Sequence, residues 1–172
     1  MGYTNGEKEY MEGLEFLNSQ VPYNLRKAME CFEHAAEQGH VEATFQAGRL
    51  YLFGVPQIQP NVKKAKEFFE KASEAGLAIA DHNLAILYFG GIGGECNREK
   101  ALEYAHKAFS GGYLGEASFL CDAYLYGWGT EKNVEKAKEY NGYARYLGLQ
   151  SAEYKYVEIC HPDFYNSIKD IN

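Results

Sequence analysis

A phrase of seven residues occurs four times in this chain and constrains its fold more than any other feature. The steps between the copies are 37, 36 and 36 residues. The copies read NLRKAME, NVKKAKE, NREKALE and NVEKAKE and begin at Asn24, Asn61, Asn97 and Asn133. A period in this range is typical of a solenoid, in which each repeat is one supersecondary unit that buries its apolar face against its neighbours.

Other residue types recur in phase with this phrase. The alanines are Ala35, Ala72, Ala108 and Ala144, and the tyrosines are Tyr51, Tyr88 and Tyr124. Two sets of glycines keep the step as well: Gly39, Gly76, Gly112 and Gly148, and Gly54, Gly91 and Gly127. Agreement between independent residue types excludes a chance similarity of short phrases.

Each repeat predicts two helices, and the phrase marks the second, here called helix B. Its asparagine is a suitable N-cap, because the side-chain oxygen can accept a bond from an unpaired backbone N–H. Fifteen residues later the glycine of the first set provides a left-handed C-terminal end. Alanines seven residues apart, such as Ala28 and Ala35, share one face. The third residue after the first alanine is larger and is expected to fill the space on that face: Cys31, Phe68, Tyr104 and Tyr140.

The first helix of each repeat, helix A, precedes the phrase and ends in a glycine-rich linker. We expect helix A near 6–17, 40–53, 77–90 and 113–126, with a last copy near 149–160. The pairs Gly91/Gly93 and Gly127/Gly129 could suggest a phosphate-binding loop. They lack the preceding strand and the downstream lysine of such loops and are in phase with the repeat, so we interpret them as turns.

The alternation of these phrases resembles the Sel1-like repeat, a relative of the tetratricopeptide repeat, over residues 6–160. The resemblance implies an all-α fold, a right-handed α/α superhelix or solenoid of about four helix-turn-helix repeats plus a terminal capping helix. We expect one domain spanning 1–172. Its units are 3–39, 40–76, 77–112 and 113–148, and the capping helix is 149–172. The chain departs from the family in its asparagine caps and in having tyrosine or phenylalanine where tryptophan is common.

The same resemblance implies that helix A forms most of a concave binding groove. Its residues outside the Ala/Leu/Tyr core pattern are then the candidates for contact with a partner, and they combine aromatic anchors with charge. These candidates are Glu12, Glu15, Glu42, Phe45, Arg49, His82, Ile86, Phe89, Ser118, Asp122 and Tyr154. For the apolar members, packing between neighbouring repeats is the alternative.

The charge of the chain favours a protein partner over nucleic acid. It carries 24 acidic and 17 basic residues, for a net charge of -7. The first sixty residues have 8 acids against 4 bases. Nucleic-acid binding needs clustered Lys and Arg, whereas this distribution suits a basic protein or peptide.

Cysteine and histidine patterns predict neither a metal site nor a catalytic site. Cys31 and His34 are three residues apart on one helix, and Cys160 adjoins His161, but no second pair completes the four ligands of a structural zinc. The histidines are scattered, with no nucleophile elbow and no paired carboxylates. We expect no cofactor and free thiols in a reducing compartment.

No targeting or membrane segment is apparent. The N-terminus lacks the apolar region of a signal peptide, and no run of about 18 apolar residues occurs. We therefore expect a cytoplasmic protein that does not enter a membrane; the sequence leaves its oligomeric state open.

The leading functional hypothesis is a non-enzymatic scaffold or adaptor that binds a protein or peptide in the groove. The alternative is an immunity or inhibitor protein that neutralises a basic bacterial toxin, since complementary charge accelerates association. A third hypothesis, an enzyme such as a beta-lactam hydrolase, comes from the family resemblance alone and has no support in these residues.

Overall fold

The chain folds into consecutive α-helices, as the repeat predicts. The computed structural model describes residues 6–19, 21 and 24–149. The helices A in these ranges are α1 Glu7–Asn18, α3 Val41–Phe53, α5 Ala78–Phe89 and α7 Ala117–Tyr126, the last preceded by a 3-10 helix Leu114–Glu116. The helices B are α2 Asn24–Glu37, α4 Val62–Glu74, α6 Arg98–Ser110 and α8 Val134–Tyr146. The all-α fold class is confirmed.

The chain divides into two compact units between Leu87 and Tyr88. We call them the N-terminal unit and the C-terminal unit and describe each by itself. The expectation of one domain over 1–172 stays a prediction. In the described ranges, every helix is too short or too polar to cross a lipid bilayer.

The predicted asparagine caps are present at three helices B. Oδ1 of Asn61, Asn97 and Asn133 accepts a bond from the backbone N–H three residues on, at 3.0, 2.9 and 3.0 Å. Asn24 differs, because it is itself the first helical residue and its amide donates to Ser19 Oγ at 2.8 Å. Three of the four caps therefore follow the repeat, and the first repeat begins its helix B in its own way.

Glycine ends the helices B as predicted. Gly39, Gly76, Gly112 and Gly148 have φ of 87°, 87°, 95° and 70°, in the left-handed region. The linker glycines Gly91, Gly93, Gly127 and Gly129 are left-handed as well, with φ between 64° and 77°. The turn interpretation of the glycine pairs is thus confirmed.

The core of each helix pair is built on the recurring alanines. All eight predicted core alanines are at most 1 % exposed: Ala28, Ala35, Ala65, Ala72, Ala101, Ala108, Ala137 and Ala144. Small residues let the helices approach closely, and one larger ring fills the remaining space.

In the first two repeats that ring comes from one residue later than predicted, whereas the third and fourth repeats have Ala105 and Asn141 at this position. Phe32 and Phe69 are fully buried, whereas Cys31 and Phe68 before them are only half-buried. The reason lies in the facing helix A, where a glycine leaves room for a ring. A Cβ added at Gly48 would lie 2.7 Å from the Phe69 ring, and one added at Gly13 would lie 2.6 Å from the Phe32 ring.

The half-buried aromatic residues stack instead on the recurring tyrosines of helix A. Tyr51 and Phe68 have ring centroids 5.6 Å apart and an interplanar angle of 12°. The same stack recurs between Tyr88 and Tyr104 and between Tyr124 and Tyr140. Each stack ties a helix A to the helix B of its own repeat, which fixes the orientation of the exposed helix A positions.

Candidate functional site

The charged candidates of the N-terminal unit lie on the surface. Glu12 and Glu15 on α1 are exposed, as are Glu42 and Arg49 on α3. The Arg49 guanidinium donates a 3.1 Å bond to Gln46 Oε1 on the same helix, so its position is partly fixed without a neutralising carboxylate in that bond. Exposed charge on two helices A of one unit is available to a partner.

Phe45 occupies a different environment from these charges. Its side chain is 8 % exposed, and its ring centroid is 5.6 Å from that of Phe69. His82 and Ser118, which occupy the same repeat position, are half-buried. Phe45 is therefore a core residue that packs within its own repeat, and it is not part of the exposed surface.

The remaining candidates lie on α5 and α7. Ile86 is 49 % exposed, while His82, Phe89, Ser118 and Asp122 are half-buried. Tyr154 lies outside the described residues. Arg49, Ile86 and Asp122 share one repeat position, at which Arg49 and Ile86 are exposed and Asp122 is half-buried.

Phe89 belongs to an aromatic cluster in the C-terminal unit, formed with Phe119, Tyr126 and Trp128. Its ring centroid is 5.2 Å from Phe119 and 5.0 Å from Trp128, and Tyr126 is 5.5 Å from Trp128. The guanidinium carbon of Arg98 lies 5.8 Å from the Phe89 centroid. Tyr126 is 41 % exposed and the other three rings are half-buried, so the cluster reaches the surface.

Sequence reasoning found only Phe89 of this cluster. A signal for Phe119 was present, because the other repeats have Gln46 and Asn83 at its position. Trp128 stands in a linker that was interpreted only as a turn. Departures from the repeat at exposed positions were therefore more informative than the recurring residues.

The linker that carries Trp128 is held by a close backbone contact. Gly129 has φ of 72°, and a Cβ added there would lie 2.2 Å from the carbonyl oxygen of Arg98 at the start of α6. Only glycine allows this approach. The contact fixes the linker, and with it the tryptophan ring, against the first turn of α6.

The recurring lysines of helix B lie over aromatic rings of helix A. Nζ of Lys64, Lys100 and Lys136 is 4.1, 5.1 and 4.7 Å from the ring centroids of the recurring tyrosines. Lys64 also donates to Glu33 at 2.9 Å and to the hydroxyl of Tyr51, which itself donates to Glu33 at 2.6 Å. These lysines therefore join adjacent helices, although Lys100 and Lys136 are also exposed to solvent.

A histidine replaces this glutamate in the C-terminal unit. His106 lies 2.9 Å through Nε2 from the hydroxyl of Tyr124 and 3.3 Å through Nδ1 from that of Tyr140. Burial lowers the pKa of His106 below its usual value, and the nearby charge of Lys136 lowers it further. A neutral imidazole can donate through one ring nitrogen and accept through the other, which suits a position between two hydroxyls.

This histidine is expected to make stability sensitive to acid. Between its folded pKa and the unfolded value near 6.5, the unfolded chain binds more protons than the folded one, so stability falls as pH falls below about 6.5. We expect the free energy of unfolding to drop more between pH 7.5 and pH 5.5 in the natural chain than in His106→Gln. Urea denaturation at the two pH values measures this. The other histidines contribute equally in both proteins, so identical pH dependences would contradict the prediction.

The N-terminal unit contains a pocket of about 400 Å³ between α1 and α2, with a mostly charged lining. Glu9, Glu12, Phe16, Lys27, Glu30, Cys31 and His34 line it. Burial raises the pKa of the Cys31 thiol, and the negative charges of Glu12, Glu30 and Glu9 raise it further. A thiol held protonated in this way is a poor nucleophile and a poor metal ligand.

The cysteines and histidines that the structure describes do not form a metal-binding site. No three His, Cys, Asp or Glu side chains come close enough together in these ranges to hold an ion. Cys31, Cys96 and Cys121 are free thiols. The expectation of no metal and no cofactor stays a prediction.

The profile of the Sel1 repeat matches this sequence four times. The matches cover residues 6–40, 41–77, 78–113 and 117–140, which is more than half of the chain. The chain belongs to the Sel1-repeat family. Sel1 repeats generally mediate interactions between proteins.

Solved structures of Sel1 proteins have the same fold. A Sel1 repeat protein from Oxalobacter formigenes superimposes with a TM-score of 0.80 at 26% identity, over 88% of this chain and 62% of its own. A protective antigen of uropathogenic Escherichia coli with an SLR fold gives 0.76 at 27% identity, over 91% of this chain and 33% of its own. The Sel1 solenoid class predicted from the sequence is thereby confirmed.

A third structure is more distant. An immunity protein from Pseudomonas aeruginosa has a TM-score of 0.55 at 20% identity, over 89% of this chain and 58% of its own. At that identity the likeness shows the fold alone. This chain spans less than two thirds of the length of each of these three proteins. No functionally curated protein matches the sequence.

Proposed function

We propose that this chain is a non-enzymatic protein-binding module that recognises a basic protein or peptide through exposed positions of its helices A. The observation that carries the proposal is the acidic surface of the N-terminal unit, where Glu12, Glu15 and Glu42 are exposed. The proposal is also supported by the Sel1 family, whose repeats generally mediate interactions between proteins. The free thiols of the described residues suit the reducing cytoplasm that we propose as its location.

The two units differ in the exposed features that they offer to a partner. Exposed charge accelerates encounter and selects partners of opposite sign. Most of the binding free energy of an interface comes from a few buried residues, among which aromatic residues and arginine are enriched. The helices A of the N-terminal unit have the exposed acids Glu12, Glu15 and Glu42, and the C-terminal unit has the cluster of Phe89, Phe119, Tyr126 and Trp128. We therefore propose that the acids set the rate of association and the aromatic cluster slows dissociation.

Charge reversal tests the acidic surface. A protein partner is first isolated by co-purification from the native cell, and its association rate is then measured at low and at physiological salt. Glu12→Lys/Glu15→Lys/Glu42→Lys is expected to lower the association rate on the order of tenfold at low salt, with a smaller effect as salt screens the charges.

The matched control moves the same charge change away from the proposed surface. Glu67→Lys/Glu74→Lys/Glu103→Lys alters three exposed acids on two helices B. The control changes the net charge by the same amount. Equal decreases in association rate in both variants would therefore show that the effect comes from net charge and not from the proposed surface. An unchanged rate in the first variant would contradict the acidic surface as the binding site.

A second candidate function is neutralisation of a basic bacterial toxin. The excess of acids over bases in the first sixty residues favours it, since complementary charge gives an inhibitor a fast association rate. A solved immunity protein has a related fold, although at 20% identity that likeness concerns the fold alone. An inhibitor abolishes the activity of its partner at equimolar ratio, whereas a scaffold leaves that activity intact. Assay of the isolated partner with and without this chain distinguishes the two.

A further inference from the structure

Two rings of the aromatic cluster lie on one face of α7. Phe119 and Tyr126 are seven residues apart, so they lie two turns apart on the same side of the helix, separated by about 10 Å along its axis. The Trp128 ring contacts both, with its centroid 6.1 Å from that of Phe119 and 5.5 Å from that of Tyr126. Phe89 supports the tryptophan ring at 5.0 Å. The cluster therefore forms an apolar strip along α7, with Trp128 in contact with both ends.

This strip is specific to the fourth repeat. The second and third repeats have Gln46 and Asn83 at the position of Phe119, and Trp128 is the only tryptophan of the chain. The packing that all repeats share therefore does not require these rings. Because Tyr126 is 41 % exposed, the strip is open to a partner.

Two of the polar groups beside the rings are hydrogen-bond donors only. The indole N–H of Trp128 donates and cannot accept, and the same holds for the guanidinium of Arg98, whose carbon lies 5.8 Å from the Phe89 centroid. The side chain of Arg98 is exposed, so its N–H groups are accessible to a partner. A segment suited to this surface offers apolar rings and backbone carbonyls as acceptors, and few N–H groups of its own.

A polyproline II segment has this chemistry. Proline has no backbone N–H, and the polyproline II helix leaves its carbonyls without internal hydrogen bonds. This helix rises about 9 Å in each three-residue turn, close to the separation of Phe119 and Tyr126 along α7. A bound α-helix would keep its carbonyls in internal bonds. An added β-strand would need a sheet edge, whereas helices and one linker carry this cluster.

The charges beside the cluster favour an uncharged proline at the rings. Because the Arg98 guanidinium already lies near the Phe89 ring, a lysine or arginine of the partner at that ring would be repelled. Asp122 lies between Phe119 and Tyr126 on the same face of α7 and is half-buried. Its carboxylate favours a basic residue beside the prolines, in agreement with the basic partner of the proposed function.

We propose that the aromatic cluster binds a proline-rich segment of the partner in the polyproline II conformation, with successive turns on Phe119 and Tyr126. The prolines stack on these rings and on Trp128, and the indole N–H and the Arg98 guanidinium donate to carbonyls of the segment. Such a segment loses little conformational entropy on binding, because the free segment already has this conformation. The inference rests on the proposed function, because it names the part of the partner that the cluster holds.

Binding of labelled synthetic peptides to the full chain tests the inference. The probe has two lysines followed by nine prolines, and its control has two lysines followed by nine alternating glycines and serines. We expect fluorescence anisotropy to show at least about tenfold tighter binding of the proline peptide. We also expect the unlabelled proline peptide to shift the emission of Trp128. Equal affinities for the two peptides would overturn the inference and assign the binding to the lysines.

Three variants locate the binding on the chain. Tyr126→Ser removes one ring and Trp128→Phe keeps a ring without the N–H donor, and we expect each to weaken binding of the proline peptide about three- to tenfold. Phe53→Ser is the matched control that leaves binding unchanged, because Phe53 occupies the repeat position of Tyr126 on α3 and is 72 % exposed. An equal loss in Phe53→Ser would overturn the inference. So would unchanged binding in both cluster variants with unchanged circular dichroism.

Competition with the isolated partner separates this inference from the proposed function. We expect the proline peptide to displace the partner from the natural chain. A partner whose association is slowed by charge reversal of Glu12, Glu15 and Glu42, but which the peptide does not displace, overturns the inference and leaves the proposed function intact. Displacement by the peptide, with an association rate that charge reversal does not change, supports the inference and contradicts the acidic surface.

Discussion

Replacing Phe69 with alanine is expected to lower the free energy of unfolding by about 3–5 kcal/mol, because a fully buried ring leaves a cavity. Its ring fills the space over Gly48 in α3 and lies beside the Phe45 ring. The neighbouring backbone of two helices restricts how far this site can collapse. Urea denaturation of the natural chain and the variant measures the loss.

The facing glycine makes this prediction sharper. A Cβ at position 48 would lie 2.7 Å from the Phe69 ring and 3.2 Å from the Cβ of Phe68. Overpacking costs about 1–3 kcal/mol, which outweighs or offsets the gain of up to about 1 kcal/mol from replacing a helical glycine with alanine. In the Phe69→Ala background the ring is absent, so Gly48→Ala is expected to stabilise by about 0.5–1 kcal/mol.

A double-mutant cycle over the two positions checks this coupling. The third repeat has Ala85 and Ala105 at these positions, so the double variant has a natural counterpart in the same chain. Additive effects of Gly48→Ala and Phe69→Ala would show that the glycine is not there to admit the ring. The corresponding pair Gly13 and Phe32 in the first repeat allows an independent repetition.

The repeat allowed the helices to be predicted from the sequence because their signals are local. An asparagine cap, an alanine face and a left-handed glycine each act within a few residues of one helix. The 36- to 37-residue step then aligned these signals, and three asparagine caps and all four terminal glycines occur as predicted. The fourth helix A begins with a 3-10 turn, a detail that no recurring residue marked.

The identity of the buried ring was not predictable in the same way. Phe68 and Phe69 are adjacent on α4, and both are apolar. Which of them enters the core depends on where the facing helix A leaves room, and Gly48 leaves it for Phe69. That information lies some twenty residues away and acts only when the helices pack.

The same long-range effect explains the outcome for the candidate site. Phe45 shares its repeat position with His82 and Ser118, which made an outward position reasonable. Its ring is buried because Phe69, the neighbour it contacts, occurs in that repeat alone among the three. The charged candidates Glu12 and Glu42, by contrast, are exposed, because burying a carboxylate costs a large amount of free energy.

Replacing Gly129 with alanine is expected to have the second largest effect on stability. Two costs add at this position. A left-handed φ of 72° costs a residue with a Cβ about 1–2 kcal/mol. The added Cβ would also lie 2.2 Å from the carbonyl oxygen and 2.4 Å from the carbonyl carbon of Arg98, which belong to backbone and cannot rotate away. Forced shifts of packed groups cost a further 1–3 kcal/mol or so, for a total of about 2–5 kcal/mol.

Gly112→Ala separates these two costs, because Gly112 is equally left-handed, with φ of 95°, but has no atom within 4 Å of an added Cβ among the described residues. It should lose only the conformational part, about 1–2 kcal/mol. Urea denaturation compares the variants, and tryptophan fluorescence reports the linker directly, since Trp128 adjoins Gly129 and is the only tryptophan. We expect Gly129→Ala to shift the emission of Trp128 and weaken partner binding through the aromatic cluster, while Gly112→Ala does neither. Equal stability losses in the two variants would mean that the linker moves away from α6 at little cost, and that Trp128 is not held in place by this contact.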